Sequence, residues 1–242
     1  MPPVSAFAKY VPQAWPYRYR GQMHISRLCG GTPSDPKVAE GWIKTKLGAD
    51  SGDLIRAQVA EVMVERGISA EQAASEISLL RSTTGFKRDS EKGLYIEGRV
   101  LKAGLKEAVS VAVNSGKIER YKWGTTYKQV VGWVAEHICV VEDRLYLGVH
   151  EPTGVSQRFV HTTGPQGRQT AIAYQEYVDD VTIDFTVIVD LDIEKKHPDF
   201  WAMVWLTGEY QGIGSSRSQG YGRYTVTTWE RTTLWTPPAK DA

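Results

Sequence analysis

The order of strand-like and helix-like segments along the chain predicts an α+β fold, a sheet with helices on one face. Three observations carry this. Val181, Ile183, Phe185, Val187 and Val189 alternate with polar partners, the period of a half-buried strand. Leu101, Leu105, Ala108 and Val109 share one face of a helical stretch, and Lys102 and Lys106 share another. The coarse order is strand, helices, strands, strand, helix, strand, with no self-similarity at solenoid periods.

The first strand is expected within residues 17–29, where alternation holds from Tyr19 to Leu28, and Gly30-Gly31-Thr32-Pro33-Ser34-Asp35-Pro36 breaks it. Leu54, Val59, Val62 and Met63 recur near helical spacing until Gly67 stops the run. Ser69 and Gln72 stand at capping-box spacing and open another helix reaching about Leu80. The polar, charged stretch 82–93 reads as a mobile loop. Gly98 precedes the basic-striped helix over 99–109. Residues 131–149 hold two short strand-like runs around Glu142-Asp143, of which Arg144–Val149 alternates cleanly. The stretch 150–173 is rich in Gly, Pro, Thr and Arg, too polar for core and too long for an ordinary turn, so it is expected to be a functional arm. The strongest strand runs over 181–191, although Ile188 and Leu191 blur its pattern. Pro198 suits the first turn of a helix carrying Phe200, Trp201, Val204 and Trp205 to about Thr207. Tyr221–Trp229 closes the sheet.

A chain of 242 residues fits one large domain or two small ones and buries a core without staples. Hydrophobic residues are 41% and charged residues 24%, ordinary globular usage that indicates neither disorder nor a fibrous class. The two cysteines, Cys29 and Cys139, are each solitary, poor material for a disulfide framework or a zinc site. No basic region followed by an apolar run opens the sequence and no stretch has the length of a spanning helix, so a cytoplasmic protein with no membrane partner is expected. Lys and Arg number 29 against 28 Asp and Glu, a net charge of +1, so any nucleic-acid surface must be a local patch.

The run Gly212-Ile213-Gly214-Ser215-Ser216-Arg217-Ser218-Gln219-Gly220-Tyr221-Gly222-Arg223-Tyr224 is the most suggestive of ligand binding. Gly212, Gly214, Gly220 and Gly222 let the backbone approach a ligand, Arg217 and Arg223 offer forks for phosphate, and the Tyr221 and Tyr224 rings either stack on bases or pack below. The same composition also suits a flexible surface hairpin. The Gly-Lys-Ser/Thr ending of a triphosphate loop is absent, and the run does not follow a strand and open a helix as a dinucleotide fingerprint does.

This run resembles the C-terminal glycine-rich loop of the RAMP superfamily of CRISPR-associated proteins, which leads into the last strand, and Tyr224–Glu230 is similar to that strand. Upstream, Leu94-Tyr95-Ile96-Glu97-Gly98-Arg99-Val100-Leu101-Lys102-Ala103-Gly104-Leu105-Lys106 resembles the Y-I-P-G-S-S-L-K-G-x-L-R signature of the backbone subunits that coat guide RNA. It departs at Glu97 for proline, at Arg99-Val100 for the paired serines and at Ala103 for glycine, while Lys102 is kept and Lys106 stands where arginine is usual. The two motifs occur in the family's order, and the first strand with Gly30-Gly31 is similar to its opening. The resemblance implies a single domain over residues 1–242 with a ferredoxin-like, modified RNA-recognition-motif sheet. It implies a thumb-like hairpin at about 150–173, and the helical insertion at about 50–85 has no counterpart in the family.

What the family implies for function is single-stranded RNA as partner, guide RNA first and target RNA or DNA second, with copies of the chain and other effector subunits assembling along it. No cofactor or metal is implied. The nucleic-acid-binding residues are then Arg27, Arg99, Lys102, Lys106, Gly212, Gly214, Arg217, Gly220, Tyr221, Gly222 and Arg223, with Lys102 and Lys106 opposite the glycine-rich wall of a groove. In the arm, Arg158, Phe159 and Arg168 wedge against bases and hold phosphates.

Two alternatives stay open. Some relatives cut RNA with an aspartate in the loop after the first strand, where Asp35 stands, and guide-processing relatives use a histidine, for which His24 is the candidate. A lone carboxylate needs a metal or in-line 2′-hydroxyl geometry, and Ser34-Asp35-Pro36 equally suits a turn or cap. His24, His137, His150, His161 and His197 are scattered, without metal-ligand spacing. Asp179-Asp180 and Asp190/Asp192 read as solvated caps of the strongest strand. The second alternative is a stand-alone coating protein for single-stranded DNA or RNA, of cellular or viral origin, on the same fold.

Overall fold

The computed structural model describes residues 11–33, 51–74, 77, 83–118, 127–164, 167–190 and 192–233. In chain order the elements are α1 (Val11–Ala14), β1 (Tyr17–Cys29), β2 (Thr32–Pro33), α2 (Ser51–Arg66), β3 (Thr83–Gly85), β4 (Lys87–Asp89), β5 (Gly93–Glu97), α3 (Gly98–Asn114), α4 (Tyr127–His137), β6 (Ile138–Val140), β7 (Arg144–Tyr146), β8 (Gly154–Gly164), β9 (Gly167–Val189), α5 (Ile193–Lys196), α6 (Phe200–Gln211), a 3₁₀ turn (Arg217–Gln219) and β10 (Tyr224–Thr233). They divide into two compact units, one of Met1–Leu28, Tyr95–Gly148 and Asp179–Ala242, the other of Cys29–Leu94 and Val149–Val178.

The first unit holds a sheet in the order β10-β1-β9-β6, with α3 and α4 between its first and second strands and α6 between its third and fourth. Counted along the chain this is 4-1-3-2, the order of a ferredoxin-like βαββαβ sheet. β1 pairs antiparallel with β10 from Tyr17↔Thr233 to Ile25↔Tyr224, with a shift at Gln22/Met23, and β6 pairs antiparallel with the end of β9 at Ile138↔Val189. The reason is the alternation itself. Tyr19, Met23 and Ile25 of β1 and Val181, Ile183, Phe185, Val187 and Val189 of β9 are all buried, and their face meets Leu101, Leu105, Ala108 and Val109 of α3 and Trp201, Val204 and Trp205 of α6. Trp229 lies over Tyr19 at 5.0 Å, Trp201 at 4.9 Å and Trp205 at 5.1 Å, so rings fill the space between α6 and the sheet. Gly21 makes room for this, because a Cβ there would sit 2.4 Å from the Phe185 ring.

In the second unit, β8 and the first part of β9 form a long antiparallel hairpin from Gly154↔Tyr177 to Gly164↔Gly167, occupying the stretch expected to be an arm. β3 lies parallel to β9 at Thr83↔Tyr174 and antiparallel to β2 at Thr32↔Gly85. α2 ends at Arg66, and Gly67, with φ of +63, returns its amide to the Met63 carbonyl. The capping box forms as its spacing predicts. The Ser69 amide donates to Gln72 Oε1 at 3.1 Å and the Gln72 amide to Ser69 Oγ at 3.3 Å. The expected end of that helix near Leu80, like Leu191, lies outside the described residues.

Two expectations are corrected. The described part of this stretch, residues 83–93, is not a mobile loop: it carries β3 and β4, with Phe86 buried between them, and leads into β5 at Gly93. The cause is Glu176, buried on β9, whose carboxylate accepts the Phe86 amide at 3.1 Å and the Arg88 guanidinium at 2.7 Å. A buried carboxylate is stable only when paired and hydrogen-bonded, so it orders the charged segment that serves it. Residues 131–137 are the end of helix α4 rather than a strand-like run. Trp133 and His137, four apart, meet with tilted rings 5.1 Å apart on one helical face, and Val134 is buried. Among the described residues no helix is long and apolar enough to cross a membrane.

Candidate nucleic-acid interface

The glycine-rich run joins the end of α6 to the start of β10. Gly212, Gly214, Gly220 and Gly222 all take positive φ, and Ser216 joins them at +59. At the neck the Ile213 amide donates to the Gly222 carbonyl at 2.9 Å and the Gly222 amide to the Arg27 carbonyl at 2.8 Å. A Cβ on Gly222 would lie 1.9 Å from the Ile213 oxygen, so this crossing tolerates no side chain. Ile213 is buried, and a Cβ on Gly104 of α3 would come within 2.9 Å of its Cγ2, so the two glycine-bearing segments fit each other. The neck bonds and this contact give a tethered loop. Tyr224 packs below it against Trp205 at 6.3 Å, and burial, with the Glu209 charge adding, pushes its phenol far above the usual range. Tyr221 stays half-buried at the surface.

The cationic side chains differ in what they touch. Arg217 pairs with Glu107 of α3. Arg27 makes a two-pronged pair with Asp179 at 2.5 and 2.9 Å. Lys102 donates to the Ala135 carbonyl in the last turn of α4 at 2.9 Å, a cap on that helix's unsatisfied carbonyls. Arg99 pairs with Glu97 at 2.6 Å. Arg223 is exposed and, like the half-buried Lys106, has no hydrogen bond or ion pair among the described residues.

The expected groove with facing walls takes a different form. At about 100° per residue, the Gly104 and Glu107 side of α3, which meets the loop, lies roughly 140° around the helix from the Arg99, Lys102 and Lys106 stripe. The loop therefore seats on a different side of α3 from that stripe. Its first turn is set by Gly98, whose amide donates to the Asp143 carbonyl at 2.9 Å and whose absent Cβ would meet the Glu142 carbonyl at 1.9 Å. Gly98 is thus demanded by the β6–β7 turn. A cleft of ≈ 370 Å³ lies beside it, rimmed by Glu97, Arg99, Lys102 and Asp143.

Asp35 lies outside the described residues. His24 projects from β1 with its Nε2 3.8 Å from Asp180 Oδ1, both partly or largely exposed. Arg158 and Phe159 stand on β8 opposite Ala173 and Ile172, and Arg168 on β9 opposite Thr163. The strand-end aspartates are more engaged than solvated caps: Asp190 pairs with His137 at 2.8 Å, and Asp192 caps α5 through the Lys195 amide and pairs with Arg231 at 2.9 Å. Among the described residues no group of three His, Cys, Asp or Glu is placed to hold a metal ion.

Sequence reasoning passed over the open face of the ferredoxin-like sheet. There Arg20 of β1, Asp184 of β9 and Glu230 of β10 face a cleft of ≈ 610 Å³ walled by Glu142 and Arg144. The alternation of β1 already puts Arg18, Arg20, Gln22 and His24 on one face, and that was the available signal.

No protein-family model and no curated protein matches the sequence. Among solved structures, a chain of the cryo-EM structure of the Type III-B Cmr-beta bound to cognate target RNA is similar to this one at a TM-score of 0.43 and 11% identity. The match covers 94% of this chain and 64% of that chain, so this chain spans less than two thirds of its neighbour's length.

Proposed function

We propose that this chain is a RAMP-type subunit that binds single-stranded RNA, coating a guide strand and assembling along it with further copies and other effector subunits. The observation that supports this most is the closed neck of the glycine-rich loop. Its backbone bonds to Arg27 and between Ile213 and Gly222 hold Arg223 exposed at the start of the last strand, with no partner among the described residues. Arg223 and Lys106 are the first phosphate contacts of the proposal. Arg217, Arg27, Arg99 and Lys102 rest on the chain's own acceptors and exchange them for phosphate oxygens as a strand arrives. Tyr221 and the hairpin residues Arg158, Phe159 and Arg168 supply stacking and further backbone contacts. Binding of this kind needs no catalytic step.

Affinity for labelled single-stranded RNA, measured against salt, tests the reading. Steep weakening with salt is expected, and Arg223→Ala lowers the log–log slope by about 0.7, one phosphate contact. Gly222→Ala removes no charge but drives a methyl into the neck, so it weakens binding too. Affinity that ignores salt overturns the proposal. Loss of RNA cleavage in His24→Ala with binding intact establishes a nuclease instead.

A further inference from the structure

The ≈ 610 Å³ cleft on the open sheet face has no part in the strand-binding reading. Its wall is held to its floor: the Thr186 amide of β9 donates to Glu142 Oε2 at 2.8 Å, and the Val141 amide to the Thr186 carbonyl at 3.0 Å. The cleft is therefore preformed. Most charged groups around it are engaged. Glu142 holds Thr186, Asp184 accepts the Gln22 amide group at 2.9 Å, and the Arg144 guanidinium lies 4.9 Å from the centre of the Tyr95 ring.

Arg20 and Glu230 are the exceptions. They are directly opposite each other in the β1–β10 register, both exposed, and both line the cleft. Opposed side chains on neighbouring strands start about 5 Å apart and opposite charges there ordinarily pair. These two do not pair with each other, and neither has a hydrogen bond or ion pair among the described residues. The cleft thus presents, side by side, a two-pronged donor and a two-pronged acceptor that are unpaired among the described residues.

We infer that this cleft binds a guanine base. An arginine fork matches two neighbouring acceptors, and guanine offers O6 and N7. A carboxylate matches two neighbouring donors, and guanine offers N1–H and the 2-amino group. Cytosine has neighbouring acceptors but no neighbouring donor pair, and adenine and uracil have neither, so guanine alone satisfies both charged groups with two bonds apiece. The base comes from a free guanine nucleotide or from a nucleotide of a bound strand, and the chemistry is the same.

Calorimetric titration of the full chain with GMP, IMP and AMP tests the site without involving strand binding. GMP binds and AMP does not. IMP lacks the 2-amino group and binds about tenfold more weakly than GMP, the weight of part of a bidentate contact. Glu230→Gln erases the difference between GMP and IMP, and Arg20→Ala weakens both. Both variants keep the parent's thermal unfolding, because the two side chains are exposed and bond to nothing described. Oligo-A RNA with and without one central G separates the sources. A gain from the G assigns a strand base, and GMP binding without that gain assigns a free nucleotide. The inference is overturned if GMP and AMP bind alike, if a folded Glu230→Gln keeps the preference for GMP over IMP, or if neither GMP nor the G-containing strand is favoured. Because GMP is not a strand, failure here and failure of RNA coating are read apart.

Discussion

The helix-covered and open faces of the ferredoxin-like sheet are made from alternate residues of the same strands, yet they obey different physics. On the covered face Tyr19, Phe185, Trp201, Trp205 and Trp229 form a continuous ring cluster, and the decisive variable is volume. A single Cβ at Gly21 would strike the Phe185 ring. On the open face Arg20, Gln22, His24, Asp180 and Asp184 stand in or near solvent, and the decisive variable is which charge finds a partner. One face tolerates almost no change of shape. The other tolerates change but sets what the protein can bind.

Substitutions on each face break or sharpen that contrast. Trp201→Ala is the most damaging: it empties the centre of the ring cluster, and a loss of about 4 kcal/mol is expected, or on the order of 10 °C in Tm for a chain this long. Chemical and thermal unfolding of the variant check it, and a loss as small as a surface change would mean that the rings are not the core.

The next effect is on alkaline stability. Burial, with the Glu194 charge adding, raises the Tyr19 phenol from 10.0 to about 12. The folded chain therefore holds this proton more tightly than the unfolded chain does. The resulting stability is full below pH 10 and is lost as the pH rises through about 12. Tyr19→Phe has no phenol to ionise, so its stability declines less over that window. Unfolding free energies at stepped pH compare the two, and parallel curves would rule out Tyr19 as the cause.

Smallest of all is Gln22→Ala. It removes an exposed hydrogen bond to Asp184 at 2.9 Å, and stability is expected to change by no more than about 0.5 kcal/mol. A large loss there would show that the open face is structural after all.

Much of the covered face is legible in the residues. The period of β1 from Tyr19 to Ile25 and that of β9 around Phe185 place the correct side chains inward, because alternation is a property of each strand alone, whereas Leu28 is buried out of that phase. The Ser69–Gln72 box is legible for the same reason: its bonds close within four residues. The stretch 82–93 is not, since its order depends on Glu176, far along the chain. Nor is the end of α4, where the pattern around Val130 and Val131 suits either period until Trp133 meets Phe200.

The candidate interface divides in the same way. The residues alone permit the bends of the loop at 212–224, since Gly212, Gly214, Gly220 and Gly222 take positive φ without strain. They also determined the basic stripe of α3, which follows from helical period. Only the tertiary structure decided that the loop seats on another side of α3 from that stripe, that Arg217 and Arg27 meet carboxylates, and that Arg20 and Glu230 share a cleft without a partner among the described residues. Local conformation depends on neighbours in sequence, whereas ion pairing and clefts depend on which distant segments the packed core brings together.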